Sequence, residues 1–166
     1  DDEEAIKPSI ETLKAALFGQ LKSYEIKGHS NNVSGSASGQ LVGGNLSLLT
    51  ATLGSKTSLD TKGKIIFIEE IGEHKYHIDR QLQSLKRAGY FDHCAGVIIG
   101  DISQLKTNNP AWGQSIEALI LDVLKDIDVP IGFGFPAGHE FENRALYFGR
   151  TIQLNVTKSK IGVLYL

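Results

Sequence analysis

Hydrophobic residues recur along the chain in two spacings, one helical and one typical of strands. The helical spacing predicts helices across residues 9–21, 46–53, 76–85 and 110–127. Strands are predicted from apolar runs at 65–68 and 95–100, and from apolar residues alternating with glycine at 131–135. Helices and strands therefore alternate through much of the chain, and this alternation predicts a parallel sheet with right-handed crossovers.

The two ends of the chain follow other patterns. A short strand is predicted at 23–27, and the Gly-, Ser- and Asn-rich stretch 28–39 predicts a mobile loop. Three strand-like runs at 145–148, 151–156 and 161–166 predict a smaller antiparallel sheet. The predicted fold class is thus α/β, with a mainly parallel sheet, flanking helices and this smaller antiparallel sheet.

Composition narrows the function classes. The 166 residues are 41% hydrophobic and 22% charged, which is ordinary for one globular domain. The net charge of −2 makes neither nucleic acid nor a membrane an expected partner. No run approaches the roughly 18 apolar residues of a membrane helix. The single cysteine excludes an internal disulfide.

Acidic residues cluster where the apolar run 65–68 ends. Glu69 and Glu70 follow the run directly, and Glu73 lies just beyond Gly72. An acid-rich solvated turn would explain the cluster, but ligand crevices in α/β sheets lie at this carboxyl end of the strands. We therefore expect at least one of the acids to be functional. Arg80 is close enough in sequence to pair with one of them.

His139 stands just past the predicted strand 131–135, on a glycine-marked loop. We expect His139 and Glu69 to meet in space. A histidine oriented by a carboxylate makes two thirds of a serine-hydrolase triad. The chain has no G-x-S-x-G nucleophile motif, no P-loop and no G-x-G-x-x-G motif. Residue-level reasoning thus predicts half of a catalytic site.

A metal site is an alternative use of the histidines. His74, His77 and Glu73 could share one helical face, but their spacing is not that of H-E-x-x-H. The beginning of a surface helix is the favoured interpretation, and we predict no metal.

Several stretches, in this order and spacing, resemble the LD-carboxypeptidase family of serine peptidases, which includes muramoyltetrapeptide carboxypeptidases and microcin C self-immunity peptidases. The matching positions fall at 39–49, 63–70, 76–82, 96–100 and 136–143. The family has an amino-terminal domain that carries the serine nucleophile and a swivelling β/β/α carboxy-terminal domain. The resemblance implies that residues 35–166 form the latter domain, and that residues 1–34 are a linker helix and mobile loop.

Residue roles follow from the resemblance. Glu69 matches the catalytic glutamate and His139 the catalytic histidine, although the family commonly has Glu-Asp where this chain has Glu69-Glu70. We further expect substrate contacts from four side chains: Asn45, Glu70, Glu73 and Arg80. The implied partner is the serine-bearing domain of the same protein, without which we expect no activity.

The implied substrate is a peptidoglycan-derived peptide, cleaved at the amide between an L-centre and a terminal D-amino acid with release of D-alanine. No cofactor is implied, and the expected compartment is the cytoplasm; a homodimer is one expected assembly. Three alternatives stay open: a non-catalytic binding module, a microcin-type peptide–nucleotide hydrolase, and a metal-dependent hydrolase using His74, His77, His139 and the acids.

Overall fold

The computed structural model describes residues 2–107, 109–111 and 113–166. Within these residues the chain forms four α-helices and seven strands. The helices are α1 (Asp2–Leu17), α2 (Leu46–Ala51), α3 (Lys75–Arg87) and α4 (Ile116–Leu124). The strands are β1 (Ser23–Lys27), β2 (Gly35–Asn45), β3 (Ile65–Ile71), β4 (Gly96–Ser103), β5 (Ile131–Phe133), β6 (Thr151–Val156) and β7 (Lys160–Tyr165). None of these helices is long and apolar enough to cross a membrane.

The strands join one sheet in the order β1-β7-β6-β2-β3-β4-β5. Strands β2 to β5 are parallel to one another, whereas β1, β7 and β6 are antiparallel to their neighbours. Strand β2 joins the two parts, because its residues 35–40 pair with β6 and its residues 41–45 pair with β3. The predicted mixed α/β fold is confirmed, and its antiparallel part is continuous with the parallel part.

Alternate residues of β3 enter two separate cores, as the two-residue period of a strand requires. Ile66 and Ile68 pack with the buried faces of α2, α3 and α4. Ile65 and Phe67 pack on the other side, with residues of the antiparallel strands and with Phe135. This alternation sends the next two side chains, Glu69 and Glu70, towards opposite faces of the sheet.

Strand β4 contains a bulge near the carboxyl ends of the parallel strands. Ile68 is paired with Ile99 and Glu70 with Ile102, so β4 has one more residue than β3 over this interval. Gly100 lies in the bulge, where a side chain would come within 2.4 Å of the Ala137 carbonyl oxygen. Only glycine therefore lets the segment after β5 approach β4 this closely.

Two predictions for the amino-terminal part are wrong in their bounds. The first helix begins at Asp2 and ends at Leu17, with Pro8 inside it. The predicted loop 28–39 ends early, because β2 begins at Gly35. Residues 35–40 are small or polar, so local propensity does not mark them as a strand; pairing with β6 makes them one.

Two predictions for the carboxy-terminal half also differ from the structure. Helix α4 begins at Ile116 because the Ser115 hydroxyl caps it, accepting from the Ala118 amide at 3.1 Å. The run 145–148 is not a strand, since Thr12 and Tyr165 side chains, not strand partners, accept from the amides of residues 145 and 147. Trp112, which the sequence pattern assigns to the helix 110–127, lies outside the described residues.

Candidate active site

Glu69 lies at the carboxyl end of β3, in the interior of the sheet. It is paired with Asn45 of β2, and the run Ile65–Ile68 before it is buried. Only 9% of its side chain is exposed. The backbone that carries this carboxylate is therefore held by strands on both sides.

His139 lies on the loop between β5 and β6, which folds back over the same edge of the sheet. The Phe135 amide donates to the Ile99 carbonyl at 3.1 Å, and the Asp101 amide donates to the Ala137 carbonyl at 3.0 Å. Because of these two bonds, residues 135–137 continue to lie alongside β4 after β5 has ended. His139 follows two residues later, and 46% of its side chain is exposed.

The expectation that Glu69 and His139 meet is confirmed. His139 Nδ1 lies 2.8 Å from Glu69 Oε2, across 70 residues of sequence. An ionised carboxylate can only accept, so the imidazole donates from Nδ1–H. This tautomer leaves Nε2 without a proton, and a neutral Nε2 can act as a general base.

Glu70 lies on the opposite face and is fully engaged by the protein. Its carboxylate accepts from Asn45 Nδ2 at 2.9 Å, from the Ser47 amide at 2.9 Å and hydroxyl at 2.6 Å, and from the Ile71 amide at 2.9 Å. Only 3% of the residue is exposed. Asn45 is itself the N-cap of α2. The geometry thus favours a structural role for both residues over the substrate contacts expected from the sequence.

Glu73 forms a second carboxylate–histidine pair on the rim of the edge. The His77 ring lies 2.6 Å from Glu73 Oε2, one helical turn away, and this bond lowers the pKa of the Glu73 carboxyl. Arg80 is exposed, with its guanidinium 5.5 Å from the Tyr76 ring centre. In the part of the chain that the structure describes, Arg80 forms no ion pair with the acidic cluster.

Metal-ligating side chains do not converge in the described residues: no group of three His, Cys, Asp or Glu could hold a metal ion there. His77 is occupied by Glu73, and His139 by Glu69. The arrangement favours two separate pairs over the metal site considered as an alternative.

Asp101 is a residue of this edge that sequence reasoning missed. It lies in the β4 bulge, and its Oδ2 atom is buried without a hydrogen-bond partner. Loss of solvent raises the pKa of this carboxyl, and the neighbouring carboxylates Glu140, Glu69 and Glu142 raise it further. Its position just after a buried apolar run, the signal that singled out Glu69, would have identified it.

A pocket of about 280 Å³ opens beside Glu69. Phe67 and Phe148 give it apolar walls, and Gly138 and Asn143 border it on the side of the histidine loop. The site thus combines a desolvated carboxylate, a half-exposed imidazole and adjacent space. No serine hydroxyl among the described residues is hydrogen-bonded to His139.

Comparison with known sequences is consistent with this geometry. The family model of the LD-carboxypeptidase C-terminal domain matches residues 38–154. A probable murein peptide carboxypeptidase of Bacillus subtilis is 39% identical over 132 residues, which make up 80% of this chain and 41% of that protein. The murein tetrapeptide carboxypeptidase of Pseudomonas aeruginosa is 28% identical over 147 residues, which make up 88% of this chain and 46% of that protein.

Solved structures show the same fold. The muramoyltetrapeptide carboxypeptidase of Oxalobacter formigenes matches with a TM-score of 0.83 at 25% identity, over 94% of this chain and 53% of that one. An inactive mutant of the microcin C7 self-immunity protein MccF matches with a TM-score of 0.81 at 20% identity, over 96% of this chain and 55% of that one. The second likeness concerns the fold alone.

The fold and the family match together define the class: this is a carboxy-terminal peptidase domain with a mixed α/β sheet. The chain belongs to the LD-carboxypeptidase family. It spans less than half the length of the two sequence relatives described above.

Proposed function

We propose that this chain is the carboxy-terminal half of a serine LD-carboxypeptidase and supplies the general base of its active site. The observation that carries the proposal is the 2.8 Å contact between His139 Nδ1 and Glu69 Oε2. A half-exposed imidazole held by a buried carboxylate is the arrangement that a base for an incoming hydroxyl requires. The serine comes from an amino-terminal domain of the same protein.

The chemistry is acyl transfer. His139 Nε2 takes the proton of the serine hydroxyl as its oxygen attacks the amide carbonyl. Glu69 stabilises the imidazolium, which then protonates the leaving amine of the D-amino acid. Water, deprotonated by the same imidazole, hydrolyses the acyl-enzyme and frees the serine. Such general-base assistance contributes typically about 10²–10⁴-fold to the rate.

The substrate class is the peptidoglycan-derived tetrapeptide with a terminal D-alanine. Support comes from sequence relatives whose names specify murein peptides. The microcin-type alternative draws on likeness at 20% identity, which concerns the fold. The proposed reaction needs no cofactor, since base, carboxylate and hydroxyl complete it.

The test compares the full-length protein with residues 1–166 alone. We expect the full-length protein to release D-alanine from an L,D-tetrapeptide and to spare the same peptide ending in L-alanine. Residues 1–166 alone should release none, because they provide the base without its nucleophile. Turnover by the chain alone, abolished by replacing one of its own serines, would contradict the proposal; a peptide–nucleotide conjugate as competing substrate tests the alternative.

A further inference from the structure

Among the described residues, the imidazole of His139 is hydrogen-bonded only to the Glu69 carboxylate. Its side chain is 46% exposed, so packing does not immobilise the ring. The position of the ring therefore depends on the backbone that carries it. That backbone belongs to a loop without regular secondary structure between β5 and β6.

Asn143 holds this loop from one side. Its Nδ2 donates to the Gly138 carbonyl at 2.8 Å, and the Gly138 amide donates to its Oδ1 at 3.3 Å. One side chain thus satisfies both backbone polar groups of the residue immediately before His139. Gly138 has φ +153°, and a side chain there would come within 2.8 Å of Asp101 Cβ. The loop is closed around Asn143 in a conformation that glycine alone adopts easily.

Asp101 holds the loop from the other side. Its amide donates to the Ala137 carbonyl at 3.0 Å. On the far side of His139, the Glu140 amide lies close enough to the Asp101 carboxyl to lower its pKa. The bulge of β4 thus faces the residues on both sides of His139. The bulge adds one residue to β4 over this interval, and Asp101 lies there beside Gly138, where a side chain would come within 2.8 Å of Asp101 Cβ.

Helix α1 supports Asn143 in turn. The Ser9 hydroxyl accepts from the Asn143 amide at 2.7 Å and donates to the Phe141 carbonyl at 3.1 Å. The backbone of Asn143 is therefore anchored to a helix while its side chain anchors Gly138. Two elements distant in sequence, α1 and β4, converge on the loop.

From this geometry we propose that Asn143 and Asp101 are positioning residues, which hold the His139 imidazole against Glu69 by fixing the loop backbone on both sides of it. The consequence for turnover rests on the function proposed above, whereas the consequence for the imidazole itself does not. Outer-shell groups that orient metal ligands typically affect activity by about 10–100-fold, and we expect a loss of the same order from groups that orient this imidazole.

The experiment uses the full-length protein with Asn143→Ala, with Asn155→Ala as the matched control. Asn155 resembles Asn143 in that its side-chain oxygen accepts a hydrogen bond, here from the Ser36 hydroxyl at 2.6 Å. It lies, however, on the exposed surface of the antiparallel strands. We expect kcat on the L,D-tetrapeptide to fall about 10–100-fold for Asn143→Ala with KM nearly unchanged, as expected when orientation is lost. The control should keep wild-type kcat.

A spectroscopic readout makes the test independent of turnover. ¹⁵N-histidine NMR of the same variants reports the tautomer of His139 and its Nδ1–H proton, assigned with His139→Gln. We expect the wild type and Asn155→Ala to show the Nδ1–H tautomer with a hydrogen-bonded proton. Asn143→Ala should show a weakened Nδ1–H signal and a mixture of tautomers.

A second pair of variants keeps the test decisive if Asn143→Ala does not fold. Asp101→Asn retains an acceptor for the Glu140 amide and should keep the wild-type spectrum, whereas Asp101→Ala should lose it. If the imidazole signal is unchanged in both alanine variants, the positioning proposal is wrong. If the signal changes but the wild type never cleaves the tetrapeptide, positioning stands and the proposed function fails.

Discussion

Two glutamate–histidine pairs lie near the carboxyl end of β3, and both are joined by a bond from Nδ1 to Oε2. The distance is 2.8 Å in the pair Glu69–His139 and 2.6 Å in the pair Glu73–His77. The first pair bridges 70 residues of sequence, and the second only four. Glu69 has 9% of its side chain exposed, and Glu73 has 26%.

The difference lies in what supports each carboxylate. Glu69 belongs to a strand with neighbours on both sides, whereas Glu73 follows Gly72, in a turn at the beginning of α3. A solvated pair one helical turn apart contributes little to stability, and its geometry is easily exchanged for contacts with water. A buried carboxylate on a rigid strand can hold an imidazole in one orientation. The support of the carboxylate, and not the short distance alone, therefore favours Glu69–His139 as the candidate for catalysis.

The strongest test of this comparison replaces each histidine in the full-length protein. We expect His139→Ala to reduce kcat on the L,D-tetrapeptide by about 10²–10⁴-fold, because the proposed general base is lost. His77→Ala should leave kcat unchanged, because the His77 ring is bonded to the partly exposed Glu73 and not to Glu69. Steady-state kinetics measure both, and circular dichroism checks that each variant is folded. Equal losses of kcat in the two variants would remove the distinction between the pairs.

A smaller effect, on stability, is expected at Glu70, which is buried but has no histidine partner among the described residues. Glu70→Gln should lower the free energy of unfolding by about 1–3 kcal/mol, because a buried acceptor with several donors is replaced by an amide. Glu69→Gln has fewer bonds to lose and should destabilise less, while costing far more in kcat. Urea denaturation and kinetics of the two variants separate the roles. A catalytically dead Glu70→Gln with an active Glu69→Gln would reverse the assignment.

The smallest effect is expected in the pH dependence of stability, through the pair Glu73–His77. The hydrogen bond with His77 lowers the pKa of Glu73 from its ordinary value of 4.5. On acidification the unfolded chain takes up this proton first, so the pair's contribution to stability is present above pH 4.5 and is lost as the pH falls through the folded pKa. Urea midpoints should therefore decline slightly more with acid in the wild type than in Glu73→Gln. Identical declines would show that the pair contributes nothing.

Much of the site could be predicted from local pattern. The continuous apolar run 65–68 marks a strand buried on both faces, and the acid that follows must then lie at its carboxyl end. The same pattern places His139 just past the carboxyl end of β5. Alternation along β3 also separates Glu69 from Glu70 without reference to any other part of the chain.

Other features depended on residues far apart in sequence. The strand character of 35–40 comes from pairing with β6, more than a hundred residues later. The hydrogen bond from Asn45 to Glu70 forms because parallel pairing places the end of β2 beside the end of β3. The bulge of β4, the Asp101 contacts and the Asn143 clamp likewise require three-dimensional proximity.

The sequence by itself determined the buried strands, the acid and the histidine at their ends, and the family to which the chain belongs, because hydrophobic period and residue type are local properties. Only the tertiary structure decided which side chains hold the loop that carries His139. Those contacts join segments up to 134 residues apart, as between Ser9 and Asn143. Hydrogen bonds at such separations depend on the packed backbone, and no local spacing encodes them.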